Sequence, residues 1–204
     1  DMSHERMAVS GAELDDLDLV ALEAWVARRA RPLRETGSLE DAAIRLGLLA
    51  RSAPRVAPTA VGLLMFGRCP QWVQPDWGLG AVVIAGDSLA DPVLDRADIE
   101  GNIPSMVTQA LAFLRGGAEP APSVGALPPT ADEYSEAAVR EALVNALVHR
   151  DLRRTGRVAL RRFVDRIEVW SPGGLPEGAS DISELLRTGG VSHPRNPILA
   201  AVAR

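Results

Sequence analysis

Apolar positions recur at helical spacing along much of the chain. Between residues 12 and 30, Leu14, Leu17, Leu19, Val20, Leu22, Trp25 and Val26 form one face behind an acidic first turn, which predicts a helix there. Residues 31–37 read as a linker. Ser38-Leu39-Glu40-Asp41 opens a second helix with a serine cap and acidic first turn, ending near Gly47-Leu48-Leu49. Pro58-Thr59 starts a third, running through Met65 and closed by Gly67. Valines and isoleucine between glycine stops predict a short buried strand over 80–86, and Val93 to Ile99 reads as a strand or extended segment. Asn102 caps an amphipathic helix from Ile103 to Leu114, ended by Gly116-Gly117. The Pro- and Ala-rich residues 118–130 are the expected boundary between two units.

Past that boundary the pattern predicts a helix from Glu133 to His149. The roughly alternating stretch Arg157–Phe163, a tight turn at Asp165-Arg166 and Ile167–Trp170 then make a β-hairpin. Ser171-Pro172-Gly173-Gly174-Leu175-Pro176 leaves it as a glycine loop. A short helix over Asp181–Leu186 and a last helix after Pro197 complete the reading. The expected class is α/β (α+β). Residues 1–120 would form a helix-rich unit with a small sheet, and residues 121–204 a layer of helices on a mostly antiparallel sheet.

Three polar residues interrupt the apolar pattern of the 133–149 helix at every fourth position: Glu141, Asn145 and His149. On a helix they stack as one stripe. A carboxylate and an amide one turn apart can serve as a base and a metal ligand beside a bound nucleotide. Asparagine is a poor mid-helix residue, which favours a side-chain role. The plain alternative is a solvated helix face, with His149 and Arg150 at a helix C-terminus where they suit the dipole. Gly173-Gly174 could likewise answer a backbone need alone.

Composition narrows the chemistry. At 204 residues with 47% hydrophobic and 24% charged residues, the chain is long enough for one large domain or two small ones. No apolar run could span a bilayer, and Asp1, Glu5 and Arg6 precede no apolar stretch, so no membrane association and a cytoplasmic location are expected. Cys69 is alone, which excludes an intrachain disulfide, and His4, His149 and His193 are too scattered for a dedicated zinc site. Trp72, Trp77 and Trp170 read as core or interface residues. All 22 basic residues are arginine, which excludes lysine-dependent P-loop, Schiff-base and kinase chemistry. Phosphates would have to be met by backbone amides, arginines or a metal. A net charge of −5 argues against bulk attraction to DNA, yet seven arginines crowd residues 150–166 against Asp151 and Asp165. That cluster is either a solvated hairpin face or an anion-binding patch for phosphate or nucleic acid, with Arg153, Arg154 and Arg157 as the candidate contacts.

Three segments carry a family resemblance: Arg140–Asp151, Asp165–Pro176 and Pro194–Pro197. They resemble the C-terminal module of bacterial and archaeal transcriptional-regulator-like proteins of the Schlafen/Alba-like "divergent AAA" group, often labelled RecG-like helicase C-terminal. Leu46–Leu49, Pro58–Gly67 and Pro70-Gln71 match in the front half, so the resemblance spans nearly the whole chain. The sequence has no helicase motor motif. The module is similar to the GHKL ATPases, the fold of gyrase, Hsp90 and histidine kinases, which makes residues 121–204 a truncated GHKL-like unit. The resemblance implies ATP and Mg²⁺ as cofactors, Glu141 as the base that polarises a water, and Asn145 as a magnesium ligand beside the phosphates. In the glycine loop it puts Ser171 where the family has the aspartate that holds adenine. Gly173 stands for the first glycine, Leu175 for the second, and Gly174 lies between them. A serine accepts a hydrogen bond more weakly than a carboxylate does, and ATP hydrolysis is not expected of this chain. The resemblance also implies a nucleic-acid-binding domain before these residues, and a second glycine box and a winged helix after Arg204. The expected role is the regulatory region of a DNA-binding transcriptional regulator, touching DNA through the parent protein and forming a homo-oligomer. The alternative is a non-catalytic dimerisation or scaffolding module.

Overall fold

Side-chain caps fix where the helices begin. Asp18 accepts from the Ala21 N–H at 3.0 Å and starts α1, Leu19–Arg29. Ser38 accepts from Asp41 N at 3.0 Å ahead of α2, Leu39–Arg45. Thr59 accepts from Gly62 N at 3.1 Å ahead of α3, Ala60–Phe66. Asn102 accepts from Ser105 N at 3.0 Å ahead of α4, Ile103–Gly116. Each such cap is worth about 1 kcal/mol over alanine. The computed structural model describes residues 4–30, 37–116, 135–174 and 194–203, which also include α5, Glu136–Val148, and α6, Pro197–Val202.

All seven residues of α3 are buried, so it is the central helix of the front half. Its approach to the neighbouring backbone is close: a β-carbon on Gly62 would collide with the Leu48 carbonyl. The helix predicted over 12–30 divides in two, because Asp18 is spent as a cap and Leu17 is drawn into a β-bridge with Gly67. What precedes is a 3₁₀ turn at Leu14–Asp16. Between α2 and α3 lies a hairpin that the pattern did not predict, β1 (Leu49–Ser52) with β2 (Arg55–Pro58), paired from Leu49↔Pro58 to Ser52↔Arg55. Four-residue strands rich in arginine and alanine leave too little alternation to detect.

The main sheet has the order β4-β3-β5-β6, built from β3 (Leu79–Ile84), β4 (Val93–Ile99), β5 (Val158–Arg162) and β6 (Ile167–Trp170). Its outer pairs are antiparallel and its central pair, β3 with β5, is parallel, in register from Leu79↔Val158 to Val83↔Arg162. The sheet therefore draws strands from both sides of residue 120. The expected α/β class is the observed one. The residues predicted as the boundary, 118–130, lie outside the described residues.

Two helices cover this sheet side by side, α4 against β3 and β4, and α5 against β6. On α4 the buried residues Ile103, Met106, Val107, Ala110, Leu111 and Leu114 follow helical spacing into one core with the sheet and α3. On α5 only Leu143, Leu147 and Val148 are buried, which leaves the opposite face open. Chain start and chain end meet at α6: the buried Glu5 carboxylate accepts from Ile198 N at 3.1 Å and Leu199 N at 3.0 Å. A carboxylate against the first free N–H groups of a helix is stabilising by both hydrogen bonding and dipole. No described helix is long and apolar enough to cross a membrane.

Candidate functional site

The polar stripe lies on the open face of α5. Glu141 and Asn145 are both exposed, and Asn145 Nδ2 donates to Glu141 Oε1 at 3.0 Å. With its nitrogen so used, the amide presents Oδ1 as the atom that could ligate a hard cation. His149 is the C-cap of the helix, its N–H donating to the Asn145 carbonyl at 2.9 Å, and its side chain is half-buried.

The glycine loop is tied to this helix at its first step. Ser171 Oγ donates to the Ala146 carbonyl at 2.7 Å. Ala146 lies in the last turn of α5, so this bond holds the start of the loop against the C-terminal end of that helix. The hydroxyl oxygen keeps its lone pairs for accepting. One residue on, Pro172 O accepts from Asp151 N at 2.8 Å, so the end of α5 and the loop run as neighbours. Gly173 has φ +136°, a region that side-chain-bearing residues rarely adopt, and the Arg195 guanidinium fills the space a β-carbon there would need. Arg195 Nη2 donates to Gly174 O at 2.6 Å.

The next residue holds the helix instead of the loop. Asn196 is buried, and its Nδ2 donates to Val148 O at 2.8 Å and Arg150 O at 2.9 Å. These carbonyls lie at and just past the end of α5, where intrahelical partners have run out. Pro194-Arg195-Asn196-Pro197 thus works as a clamp, one side chain on the glycine loop and one on the helix end. Pro197 then opens α6 at a position where a missing N–H costs nothing.

Behind the clamp Arg150 is fully buried. Its Nη1 donates to Asp76 O at 2.7 Å and its Nη2 to Gly156 O at 3.1 Å, while Asp76 Oδ1 accepts from Gly156 N at 3.0 Å. Burial lowers its pKa to about 10, against the raising effect of Asp76 and Asp151. Among the described residues Arg150 Nε has no hydrogen-bond partner, a cost of about 1–3 kcal/mol. This side chain locks the 3₁₀ turn Pro75–Trp77 of the front half to the segment between α5 and β5.

Asp151, also buried, gathers the local arginines. Its Oδ1 accepts from Arg153 N at 3.0 Å and Nε at 3.1 Å, and its Oδ2 from Arg153 Nη2 at 3.2 Å. Arg154 Nε stands 3.7 Å and Arg195 Nη1 3.8 Å from Oδ2. The Arg153 side-chain hydrogen bond leads in holding the Asp151 carboxyl below its ordinary value, against the opposing effect of burial. Of the three arginines singled out in the sequence, Arg153 and Arg154 join this cluster. Arg157 turns to the front half, donating to Glu100 Oε1 at 2.9 Å and Asp98 Oδ1 at 3.4 Å. Leu175 and the helix predicted over Asp181–Leu186 lie outside the described residues. Burial and the neighbouring Glu100 carboxylate raise the Cys69 thiol above its ordinary pKa.

Sequence reasoning passed over Asp76 and assigned no function to Arg195 or Asn196. The one available signal was a polar pair fixed between two prolines.

With this geometry in place, residues 155–204 match a family model described as "Putative ATP-dependent DNA helicase recG C-terminal". That matched stretch includes β5, β6, the glycine loop and the clamp, and it is similar to the RecG C-terminal family; it begins after α5, which bears Glu141 and Asn145. No curated protein matches the chain. Among solved structures it is similar to the DIP2311 protein from Corynebacterium diphtheriae, with a TM-score of 0.58 and 22% identity over 99% of this chain. The chain spans 32% of that protein's length, and the likeness is one of fold.

Proposed function

We propose that this chain is a nucleotide-binding regulatory module of a DNA-binding transcriptional regulator, with ATP·Mg²⁺ as its ligand. The observation that carries the reading is the Ser171–Ala146 hydrogen bond, because it ties the glycine loop to the helix that bears Glu141 and Asn145. The ATPase-like family match over residues 155–204 supports the same assignment. The residues fit the ligand chemically. Mg²⁺ takes few protein oxygens beside phosphates and water, so one amide oxygen, Asn145 Oδ1, is an adequate protein contribution. Ser171 Oγ would accept from an adenine amine, Glu141 orients Asn145 and would take a proton from an attacking water, and Gly174, with open space where a β-carbon would stand, would let the ligand approach backbone. With Glu141 exposed and already bonded to Asn145, binding is the function and any turnover is slow.

Equilibrium titration of the full-length protein with ATP and Mg²⁺ tests this. Saturable binding that is lost in Asn145→Ala is expected, and absence of binding at millimolar ATP would refute it.

A second reading, a non-catalytic dimerisation module, is favoured by one observation. Trp170 is 50% exposed on β6, the last strand of the sheet among the described residues. It predicts a concentration-dependent dimer that Trp170→Ser weakens and that is indifferent to ATP. A strict monomer by light scattering would refute it.

A further inference from the structure

β4 ends the sheet on one side and pairs only with β3 among the described residues. Which of its backbone groups are left over follows from the neighbouring ladders. Gly78 O accepts from Val158 N at 3.2 Å, and Ala85 N donates to Pro92 O at 2.9 Å. Even-numbered residues along β3 therefore turn their backbone groups to β5, and odd-numbered ones to β4. Asp95, Ala97 and Ile99 stand opposite Val83, Ala81 and Leu79 and spend their backbone groups on β3. Arg96 and Asp98 turn theirs outward. The outward Arg96 N–H is met by a neighbouring side chain, Asp95 Oδ1 at 2.8 Å. The pairing shifts between Val83 and Ile84, which makes Leu94 the extra residue of a bulge and Asp95–Ile99 the regular edge.

We propose that two copies of this chain join antiparallel along β4, about a two-fold axis through Ala97, with Arg96 of each opposite Asp98 of the other. A two-fold that keeps α4 on one side of the joined sheet runs normal to it and passes through a residue, because opposed residues share a face. Centres on Asp95, Arg96 or Asp98 each set a charge against its own copy. Ala97 is the midpoint of the regular edge, and a centre there sets Arg96 against the partner's Asp98 twice over. These residues have the outward backbone, so each such pair exchanges both N–H···O bonds, and a carbonyl of the partner replaces Asp95 on the Arg96 N–H. The two Ala97 residues meet as the close, non-hydrogen-bonded pair, where small side chains fit. Arg96 is exposed and in no ion pair among the described residues. Asp98 meets Arg157 through Oδ1, which leaves Oδ2 for the partner. Beside the edge, α4 presents a face without charge. Gln109 Nε2 donates to Glu100 O at 2.7 Å, just past β4. The exposed residues over 104–112 are Pro104, Ser105, Thr108, Gln109 and Ala112, in a chain with 24% charged residues. This contact lies at the opposite edge of the sheet from Trp170 and does not depend on nucleotide.

Sedimentation equilibrium of the full-length protein tests the pairing. The expected result is a dimer whose dissociation constant rises about tenfold or more in Arg96→Asp and in Asp98→Arg, since each reversal sets like charges opposite one another twice. An equimolar mixture of the two variants recovers the wild-type value, because opposite charges then face each other at both positions. Arg55→Asp is a control for net charge and leaves dimerisation unchanged, since Arg55 is 81% exposed on the β1–β2 hairpin. Oxidation of Ala97→Cys gives a disulfide mapped by mass spectrometry to position 97 of both copies, because the non-hydrogen-bonded pair lies within disulfide reach. Arg55→Cys gives no such link. A monomer at every concentration overturns the pairing, as does a dimer indifferent to both reversals. Two weakened variants whose mixture fails to recover, or absence of the position-97 link, also overturn it. A dimer lost in Trp170→Ser and kept in Arg96→Asp moves the interface to β6 and overturns it too.

Discussion

The Arg195 guanidinium rests on the α-carbon of Gly173, in the volume a β-carbon would occupy. Two independent costs therefore fall on Gly173→Ala: a φ of +136° and displacement of Arg195 from Gly174 O. The substitution is expected to destabilise the fold by about 1–3 kcal/mol, measured by urea denaturation. Combining it with Arg195→Ala should recover the steric part only, because the backbone strain remains.

Asn196 is the other half of the clamp. Its amide is the hydrogen-bond donor to Val148 O and Arg150 O at the buried end of α5. Asn196→Ala leaves both carbonyls short of a donor and should cost about 1–3 kcal/mol. Asn196→Asp, nearly the same shape, brings a carboxylate toward two carbonyl oxygens and should cost more. Hydrogen exchange at the C-terminal turn of α5 should rise in both variants. If exchange rises only globally, the clamp is not local to that turn.

The front of the chain is expected to matter for the stability of its end. Glu5→Ala removes the acceptor for Ile198 N and Leu199 N and should lower stability by about 1–3 kcal/mol, with α6 exchanging fastest. Exchange in α6 that matches the wild type would mean the N-terminal contact carries no stability.

Asp151 makes a pH prediction. Its pKa is depressed in the folded state, chiefly by Arg153. A depressed carboxylate contributes stability in full above its unfolded value of about 4, and loses it as pH falls through the folded value. Asp151→Asn should therefore be clearly less stable than wild type at pH 7, where Arg153 loses the carboxylate it is hydrogen-bonded to. The gap should narrow below about pH 4, as the wild-type carboxylate protonates. Urea midpoints at pH 7 and pH 3 check this. A gap that is constant or widens toward acid contradicts the assignment.

What the sequence made legible follows the range of the interaction. The caps Ser38, Thr59 and Asn102 act within three residues, and each marks its helix start in the chain itself. The Glu141/Asn145 pair is legible because a helix turns spacing directly into proximity. The glycine loop was visible as composition, and its seat on Ala146 was not, since that contact crosses 25 residues. Arg150 shows the limit most plainly. In the sequence it is one more arginine in a basic run, yet it is fully buried, because its partner is a carbonyl 74 residues away. Asp151 likewise reads as a minor counter-charge and in the fold is the point on which three arginines converge.

We propose that nucleotide enters between α5 and the glycine loop. Amide hydrogen exchange of the full-length protein, with and without saturating ATP and Mg²⁺, tests it most directly. Protection concentrated in residues 141–149 and 171–174, and lost in Asn145→Ala, is expected. Protection elsewhere with these segments unchanged, or none at all, would contradict it.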